Sequence, residues 1–335
     1  MSYKRTKQWV LYLQLSLIIA LYICCCCRIW TINTVIEVGE IWVDDMLGLS
    51  KNYVVFSGII TSVFLLLNGV FLLLYLRLFA LVERRQYYPV LFYFLFVFFF
   101  PQLLNPWSMF TGFVVVTGIF PQLFHLDESN LQAKTFMYGL WCGILTIIDF
   151  HFIILLPFIY LTYRINRIYT FRSLIMPLVG SSISFIYLFS VLYLTDNNQY
   201  ITEFCLFIKS RLHEVSFWNM DFMRLKSVLS ANHFISGILV AGNVLVGLFS
   251  FLKLWSKAYS EVVNKRKKYY LLLWITALLT VYVLLFQAFN ILLNSMLLLL
   301  YTIVFSLCFS YLKKYGHVIV LLLSFFAMSV FAAAG

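Results

Sequence analysis

Two groups of ionisable residues could carry out chemistry, and the first lies in a polar stretch. Asp44 and Asp45 are adjacent carboxylates that follow the first apolar segment. Such a pair could act as a general base, or it could hold a divalent metal ion on a phosphate group. Glu37 and Glu40 lie nearby and make this stretch the most anionic part of the chain. The alternative interpretation is an ordinary solvated loop.

The second group lies inside an apolar run. Asp149 and His151 stand near the middle of Phe136–Tyr163, whose other central residues are apolar. Ionisable groups at membrane depth are costly, so they usually face a cavity or another polar group. We interpret the pair as a candidate site for a substrate headgroup or a proton relay, with a hydrogen-bonded structural turn as the alternative. Residues two apart on one helix do not face each other, so direct pairing requires a break in the helix.

The composition indicates which elements position these residues. Of the 335 residues, 63% are hydrophobic and 11% are charged, and the mean hydropathy is +0.94. Soluble domains are roughly 45–50% apolar and about 25% charged. The unbroken apolar runs have the length of a helix that spans ~30 Å of hydrocarbon. The sequence therefore predicts an all-α, polytopic transmembrane bundle that forms one integral membrane domain over residues 1–335.

The basic clusters between the apolar runs predict how the chain is oriented in the membrane. The positive-inside rule places all of them on the cytoplasmic side. These clusters are Lys4/Arg5/Lys7, Arg84/Arg85, Arg164/Arg167/Arg172, Lys265–Lys268 and Lys313/Lys314. Although the net charge is +11, the clusters contain nothing that resembles a groove-reading element, so nucleic acid is not an expected partner.

The same rule constrains the number of membrane crossings. Between Arg85 and Arg164 the chain must cross an even number of times. We therefore predict that Phe136–Tyr163 folds as a short helical hairpin with Asp149 and His151 at its tip. The prediction is then about eleven passes, with the N-terminus inside, the C-terminus outside, and outer loops at about 28–52 and 195–230. The alternative is a single tilted helix over 136–163, with 88–124 as one pass plus a surface helix.

Other polar residues have a mainly structural interpretation. Asn68, Asn290 and Asn294 lie within apolar runs, where amide side chains often form hydrogen bonds between helices. Asn105-Pro106 marks a helix end, since proline lacks the N–H group and prevents continuation. In the second outer loop, Arg211 belongs to a pattern typical of a helix in the interface plane.

Several motifs resemble an uncharacterised integral membrane family of Bacteroidota. They are Phe100-Pro101-Gln102, the stretch from Tyr138 to Leu145, Leu156-Pro157, and the stretch from Ile175 to Gly180. The resemblance implies an inner-membrane envelope protein of such a bacterium. It brings no assigned activity.

The chain is more distantly similar to the GT-C glycosyltransferases, which take sugars from polyprenyl-phosphate carriers outside the membrane. In that superfamily an acid in the first outer loop serves catalysis, and short helices with a Gly-x-x-x-Gly motif follow the fourth helix. Here Asp44 and Asp45 lie in the first loop, and Gly139-x-x-x-Gly143 opens the predicted hairpin. The resemblance implies that Asp44 or Asp45 deprotonates the acceptor and that outer-side cations such as Arg211 steady the phosphate.

The leading hypothesis is thus a GT-C-like enzyme of cell-envelope assembly in a bacterial inner membrane. Its partners would be the lipid bilayer and a polyprenyl-phosphate lipid, with Asp149, His151 and Arg211 as substrate-binding residues. The alternatives are a non-catalytic subunit of a secretion or envelope-assembly complex, with other envelope membrane proteins as partners, and a transporter. No cofactor is identified, and binding of a divalent metal ion is kept as an alternative.

Overall fold

The described parts of the chain are helical. The computed structural model describes residues 2–32, 54–82, 86–99, 104–126, 130–194, 206, 250–285 and 291–311. Within these ranges all regular structure is helical and no strand occurs. The prediction of an all-α protein is confirmed.

The α-helices of these ranges are α1 (Ser2–Ile32), α2 (Val54–Leu78), α3 (Tyr88–Phe99), α4 (Pro106–Val114), α5 (Phe120–Phe124), α6 (Leu131–Ile148), α7 (Leu156–Asn166), α8 (Phe171–Leu194), α9 (Val263–Leu285) and α10 (Ile291–Tyr311). A π-helical turn, Val115–Ile119, joins α4 to α5. A 3₁₀ helix, Phe150–Leu155, leads from Asp149 into α7. Residues 250–260 are also helical and lead towards α9.

Several of these helices have the character of membrane spans. Within the described ranges, four stretches are by length and composition long and apolar enough to cross a membrane: Ser57–Leu78, Pro106–Phe124, Leu131–Ile148 and Phe171–Leu194. The chain is therefore compatible with a lipid bilayer, as its composition predicts. The count of about eleven passes and the placement of the termini stay predictions. They depend in part on residues 318–334, which lie outside the described residues.

The start of α4 follows directly from its sequence. Asn105 caps the helix, because its side-chain oxygen accepts a hydrogen bond from the backbone N–H of Trp107 at 3.0 Å. Pro106 occupies the first turn, where a missing N–H group leaves no hydrogen bond unmade. The helix boundary predicted at Asn105-Pro106 is confirmed.

Side-chain contacts show that the helices alternate in direction. Cys25 and Arg28 of α1 reach the carbonyl oxygens of Phe94 and Phe98 of α3, so these two helices run parallel. In α2, Phe64 contacts Phe110 and Phe79 contacts Phe124, so α2 runs parallel to the span of α4 and α5. Contacts of Trp255 with Trp274, and of Tyr259 with Tyr270, make residues 250–260 antiparallel to α9.

Basic residues at the start of α9 cap two other helices. The ammonium group of Lys268 donates to the carbonyl oxygen of Phe79 at 3.1 Å, just beyond the end of α2. That of Lys267 lies 3.5 Å from the carbonyl oxygen of Asn166, the last residue of α7. C-terminal carbonyls lack partners within their helix and attract cations. We call this end of the bundle, where α2 and α7 finish and α9 begins, the basic end.

Labelling of single cysteines tests whether the basic end faces the cytoplasm. In a chain whose natural cysteines are replaced, Arg164→Cys and Asn264→Cys lie at the basic end, and Leu194→Cys lies at the far end of α8. Because cationic loops remain on the cytoplasmic side, an impermeant maleimide should label the first two from the cytoplasmic face only, and Leu194→Cys from the opposite face. Permeabilised membranes provide the control, in which all three react. Labelling of Arg164→Cys and Asn264→Cys from opposite faces would contradict the shared basic end.

Asn68 connects three helices in the core. Its side chain is fully buried on α2. Its amide nitrogen donates to the hydroxyl of Tyr93 on α3 at 3.1 Å and to the carbonyl oxygen of Met109 on α4 at 2.9 Å. The prediction that Asn68 forms hydrogen bonds between helices is confirmed. Asn290 and the side chain of Asn294 lie outside the described residues.

Replacing Asn68 with leucine should therefore weaken the bundle. The variant loses both interhelical hydrogen bonds, and such bonds contribute about 1–2 kcal/mol in membrane proteins. We expect a fall of that size in the free energy of unfolding, measured by denaturing titration in mixed micelles. Thr117→Val is a matched control, because the Thr117 hydroxyl bonds only back to its own helix at Phe113. Equal effects of the two substitutions would contradict a connecting role for Asn68.

Candidate functional site

Asp149 stands at a break between two helices. It ends α6 with an extended backbone, at φ −149° and ψ 122°. Its side-chain oxygen Oδ1 accepts a hydrogen bond from the backbone N–H of His151 at 3.1 Å and so caps the following 3₁₀ helix. Aspartate is among the residues preferred at this capping position, because its carboxylate satisfies an N–H group that the helix leaves unpaired. The residue that could do chemistry is thus also the residue that interrupts the apolar run.

His151 pairs directly with the same carboxylate. Its ring nitrogen Nδ1 lies 2.9 Å from Oδ1 of Asp149. An ionised carboxylate only accepts hydrogen bonds, so Nδ1 is the donor when Asp149 is ionised. In the neutral imidazole the lone pair then belongs to Nε2. The pair therefore presents one nitrogen that can take up a proton or accept a hydrogen bond.

Both residues of the pair are buried in the bundle. Asp149 is 3% exposed and His151 is 8% exposed. The Asp149 carboxylate also acts electrostatically on Tyr282 of α9. Low dielectric strengthens a hydrogen bond between such groups and makes an unpaired one expensive. The pair is therefore held together and shielded from bulk water.

The chain reverses direction at this break. The hydroxyl of Tyr138, eleven residues before Asp149, donates to the carbonyl oxygen of Leu155 in the next segment. Nearer the basic end, Tyr163 of α7 lies close to the side chain of Thr135 on α6. Contacts at these separations occur only when the two arms lie side by side. The predicted helical hairpin is confirmed, and the alternative of a single tilted helix is wrong.

Helix α8 holds the hairpin from one side. A Cβ atom at Gly139 would lie 2.0 Å from the carbonyl oxygen of Pro177, and one at Gly180 would lie 2.2 Å from that of Phe136. The hydroxyl of Ser184 donates across this contact to the carbonyl oxygen of Leu140 at 3.0 Å. Small residues allow two helix backbones to approach this closely. The Gly-x-x-x-Gly motif is thus a packing surface for α8.

The π-helical turn supports the hairpin from another side. The ring of Trp141 on α6 lies against Gly118 so closely that a Cβ atom there would be 2.7 Å from it. The turn widens the helix between α4 and α5, and π turns of this kind are frequent near functional sites. Together with α8 it fixes the orientation of α6, and hence of Asp149 at its end.

The other predicted site residues cannot be placed relative to this pair. Asp44, Asp45 and Arg211 lie outside the described residues, as do Glu37 and Glu40. The structure therefore brings Asp149 and His151 together and leaves the remaining three positions as sequence predictions. The sequence interpretation gave no role to Tyr138, which joins the two arms of the hairpin, or to Tyr282, on which the Asp149 carboxylate acts electrostatically. No local pattern identifies them, because each interaction joins residues that are distant in sequence.

A metal site also depends on residues beyond this pair. Among the residues that the structure describes, no group of three or more histidine, cysteine, aspartate or glutamate side chains is placed to hold a metal ion. Asp149 and His151 alone provide two ligands, whereas a resident zinc ion usually takes at least three from the protein. The chemistry that the pair offers by itself is proton transfer and hydrogen bonding.

Comparisons with known proteins give no family to which the chain can be assigned. No family model, no curated protein and no solved structure matches it.

Proposed function

We propose that this protein is a GT-C-like enzyme of cell-envelope assembly in a bacterial inner membrane, which transfers a sugar from a polyprenyl-phosphate carrier. The observation that supports the proposal is the buried pair of Asp149 and His151 at the tip of a short helical hairpin. A titratable pair buried in an apolar bundle is expensive to maintain, and such residues in membrane proteins usually serve substrates or protons. The hairpin also contains a Gly-x-x-x-Gly motif in its first arm, like the short helices of the GT-C superfamily.

In this proposal each candidate residue has a defined chemical role. The acceptor's O–H bond breaks and its proton passes to Asp44 or Asp45, acting as general base. The acceptor oxygen forms a bond to the sugar's anomeric carbon, while the bond from that carbon to the phosphate oxygen breaks. The polyprenyl phosphate leaves with the electron pair, and Arg211 stabilises its charge.

Asp149 and His151 bind the carrier's headgroup in this scheme. The carboxylate keeps Nδ1 protonated, so Nε2 can accept a hydrogen bond from a sugar hydroxyl. If the imidazole takes up a proton, both nitrogens become donors and Nε2 can bind a phosphate oxygen instead. Asp149 compensates the positive charge in that state. The pair is therefore suited to an uncharged sugar and to an anionic phosphate.

A second candidate function is proton-coupled transport. The observation that favours it is the same titratable pair at a break between helices, since transporters place coupling groups beside discontinuous helices near the membrane midplane. In that case Asp149 and His151 would exchange a proton as the protein changes its accessible side. A transporter and a transferase differ in what remains bound to the purified protein.

Native mass spectrometry of protein extracted gently from its own membranes tests the proposal. We expect a retained polyprenyl-phosphate lipid that is lost or strongly reduced in Asp149→Asn, because the substitution removes the charge that sets the state of His151. Glu261→Gln is the matched control. It removes a carboxylate that pairs with Lys257 at 3.5 Å, near the basic end and away from the hairpin tip, so lipid retention should not change.

Other results would overturn parts of the proposal. Retention of ordinary phospholipid alone, with a stoichiometric protein partner, would make the chain a non-catalytic subunit of a complex. Proton uptake driven by a solute gradient in proteoliposomes, abolished by Asp149→Asn, would establish the transporter instead. Sugar transfer that survives simultaneous Asp44→Asn and Asp45→Asn replacement would remove the base role from those residues.

A further inference from the structure

Hydroxyl groups surround a small cavity in the core, distant in sequence from the hairpin. The cavity lies between α3, α4 and α10 and has a volume of about 10 Å³. Tyr93, Ser108 and Ser295 line it with their side chains, and each of these residues is at most 5% exposed. The rest of its lining is provided by apolar residues and a glycine, so the hydroxyls form a polar spot in an apolar core.

Two polar atoms at this place have no hydrogen-bond partner. The hydroxyl oxygen of Ser108 is buried and unpaired, and Ser108 lines the cavity. The side-chain oxygen of Asn68 is likewise buried and unpaired, while its amide nitrogen bonds to Tyr93 and Met109 in the cavity wall. An unsatisfied buried group costs about 1–3 kcal/mol, and in natural proteins it usually has an ordered water or ion as its partner.

A third polar group, the hydroxyl of Tyr93, has only a weak hydrogen-bond acceptor. The hydroxyl of Tyr93 is directed at the thioether sulfur of Met109, at 3.4 Å, and thioether sulfur is a poor acceptor. A water oxygen would be a better acceptor for this hydroxyl. The hydroxyl of Ser295 lies 3.3 Å from that of Thr111. Several donors and acceptors therefore converge on one small space.

We propose that this cavity binds one ordered water molecule, which bridges Ser108 of α4 to Tyr93 of α3. The volume is about the smallest that accommodates one water, and a buried water needs two to four polar partners. None of the described residues that line the cavity carries a charge, so a neutral ligand suits it better than an ion. The water completes the hydrogen bonds of a three-helix junction that direct contacts leave incomplete.

Radiolytic footprinting in purified micelles tests this site. A bound water that is converted to a hydroxyl radical oxidises the nearest reactive side chain, even when bulk solvent cannot reach it. Met109 lines the cavity and is 2% exposed, whereas Met296 is 1% exposed and does not line it. We expect Met109 to be oxidised several-fold faster than Met296. Equal protection of the two methionines would overturn the proposal.

Two variants distinguish water from general access to solvent. Ser108→Ala removes the anchoring hydroxyl, so oxidation of Met109 should fall towards the rate of Met296. Gly112→Ala adds a methyl group whose carbon would lie 3.1 Å from the Asn68 amide nitrogen and 3.4 Å from Leu299. The added methyl group narrows the cavity, so oxidation of Met109 should fall in this variant as well. Unchanged oxidation of Met109 in both folded variants would show that no water is held by this site.

Discussion

Asp149→Ala is expected to lower the free energy of unfolding by about 2–5 kcal/mol, because each of two buried donors left without a partner costs about 1–3 kcal/mol. The carboxylate accepts two hydrogen bonds from His151, one from its backbone N–H and one from its ring. Alanine leaves both donors unpaired in a region where Asp149 is 3% exposed. It also removes the cap of the 3₁₀ helix, so the turn between the hairpin arms loses its organising group.

Asp149→Asn separates this structural role from the chemical one. An amide oxygen can still accept both hydrogen bonds, and asparagine is an equally good capping residue, so most of the stability should remain. The negative charge is lost, however, and with it the group that compensates a protonated His151. Unfolding titrations of the two variants beside the wild type provide the measurement. Equal losses of stability in the alanine and asparagine variants would contradict capping by the side-chain oxygen.

Gly139→Ala should also cause a large loss of stability. The new Cβ atom would lie 2.0 Å from the carbonyl oxygen of Pro177, so α6 and α8 must separate. Overpacking of a well-packed contact costs about 1–3 kcal/mol and occasionally more. Because the neighbouring atom is backbone, no flexible side chain can move aside here, and we expect the upper part of that range. Separation of the helices also stretches the hydrogen bond from Ser184 to Leu140.

The measurement is again the free energy of unfolding in mixed micelles. Ser182→Ala serves as the control, because Ser182 lies on α8 but is exposed, and its substitution should change stability little. Gly180→Ala should reproduce the effect of Gly139→Ala from the other side of the contact, since its Cβ atom would lie 2.2 Å from the carbonyl oxygen of Phe136. A Gly139→Ala variant as stable as the wild type would show that α6 and α8 are not in this close contact.

The losses of stability expected for Asp149→Ala and Gly139→Ala are connected through the hairpin. Helix α8 holds α6 along Gly139 and Gly143, and α6 ends at Asp149. A shift of α6 away from α8 therefore moves the carboxylate relative to Tyr282 on α9. In the proposed enzyme, Gly139→Ala should reduce retention of the carrier lipid, although Gly139 itself has no chemical role.

Local features of the sequence determined the class of the fold and the break at the site. Long apolar runs require helices in a lipid environment, because each helix satisfies its own backbone hydrogen bonds. An aspartate in the middle of such a run cannot be left unpaired, and its short side chain caps a new helix more readily than it continues the old one. The hairpin was therefore predictable from Asp149, the length of Phe136–Tyr163 and the positions of the basic clusters. The start of α4 at Asn105-Pro106 was predictable for similar local reasons.

Only the tertiary structure decided which helices meet and which groups surround the pair. The contact of Gly139 with Pro177, the approach of Tyr282 to Asp149, and the capping of α2 by Lys268 join residues that are far apart in sequence. A motif such as Gly-x-x-x-Gly shows that a close helix partner exists, but it does not specify the partner. Apolar helices can pack against one another in many arrangements of similar hydrophobic free energy. The arrangement is selected by side-chain shape and by hydrogen bonds between helices, which no single segment contains.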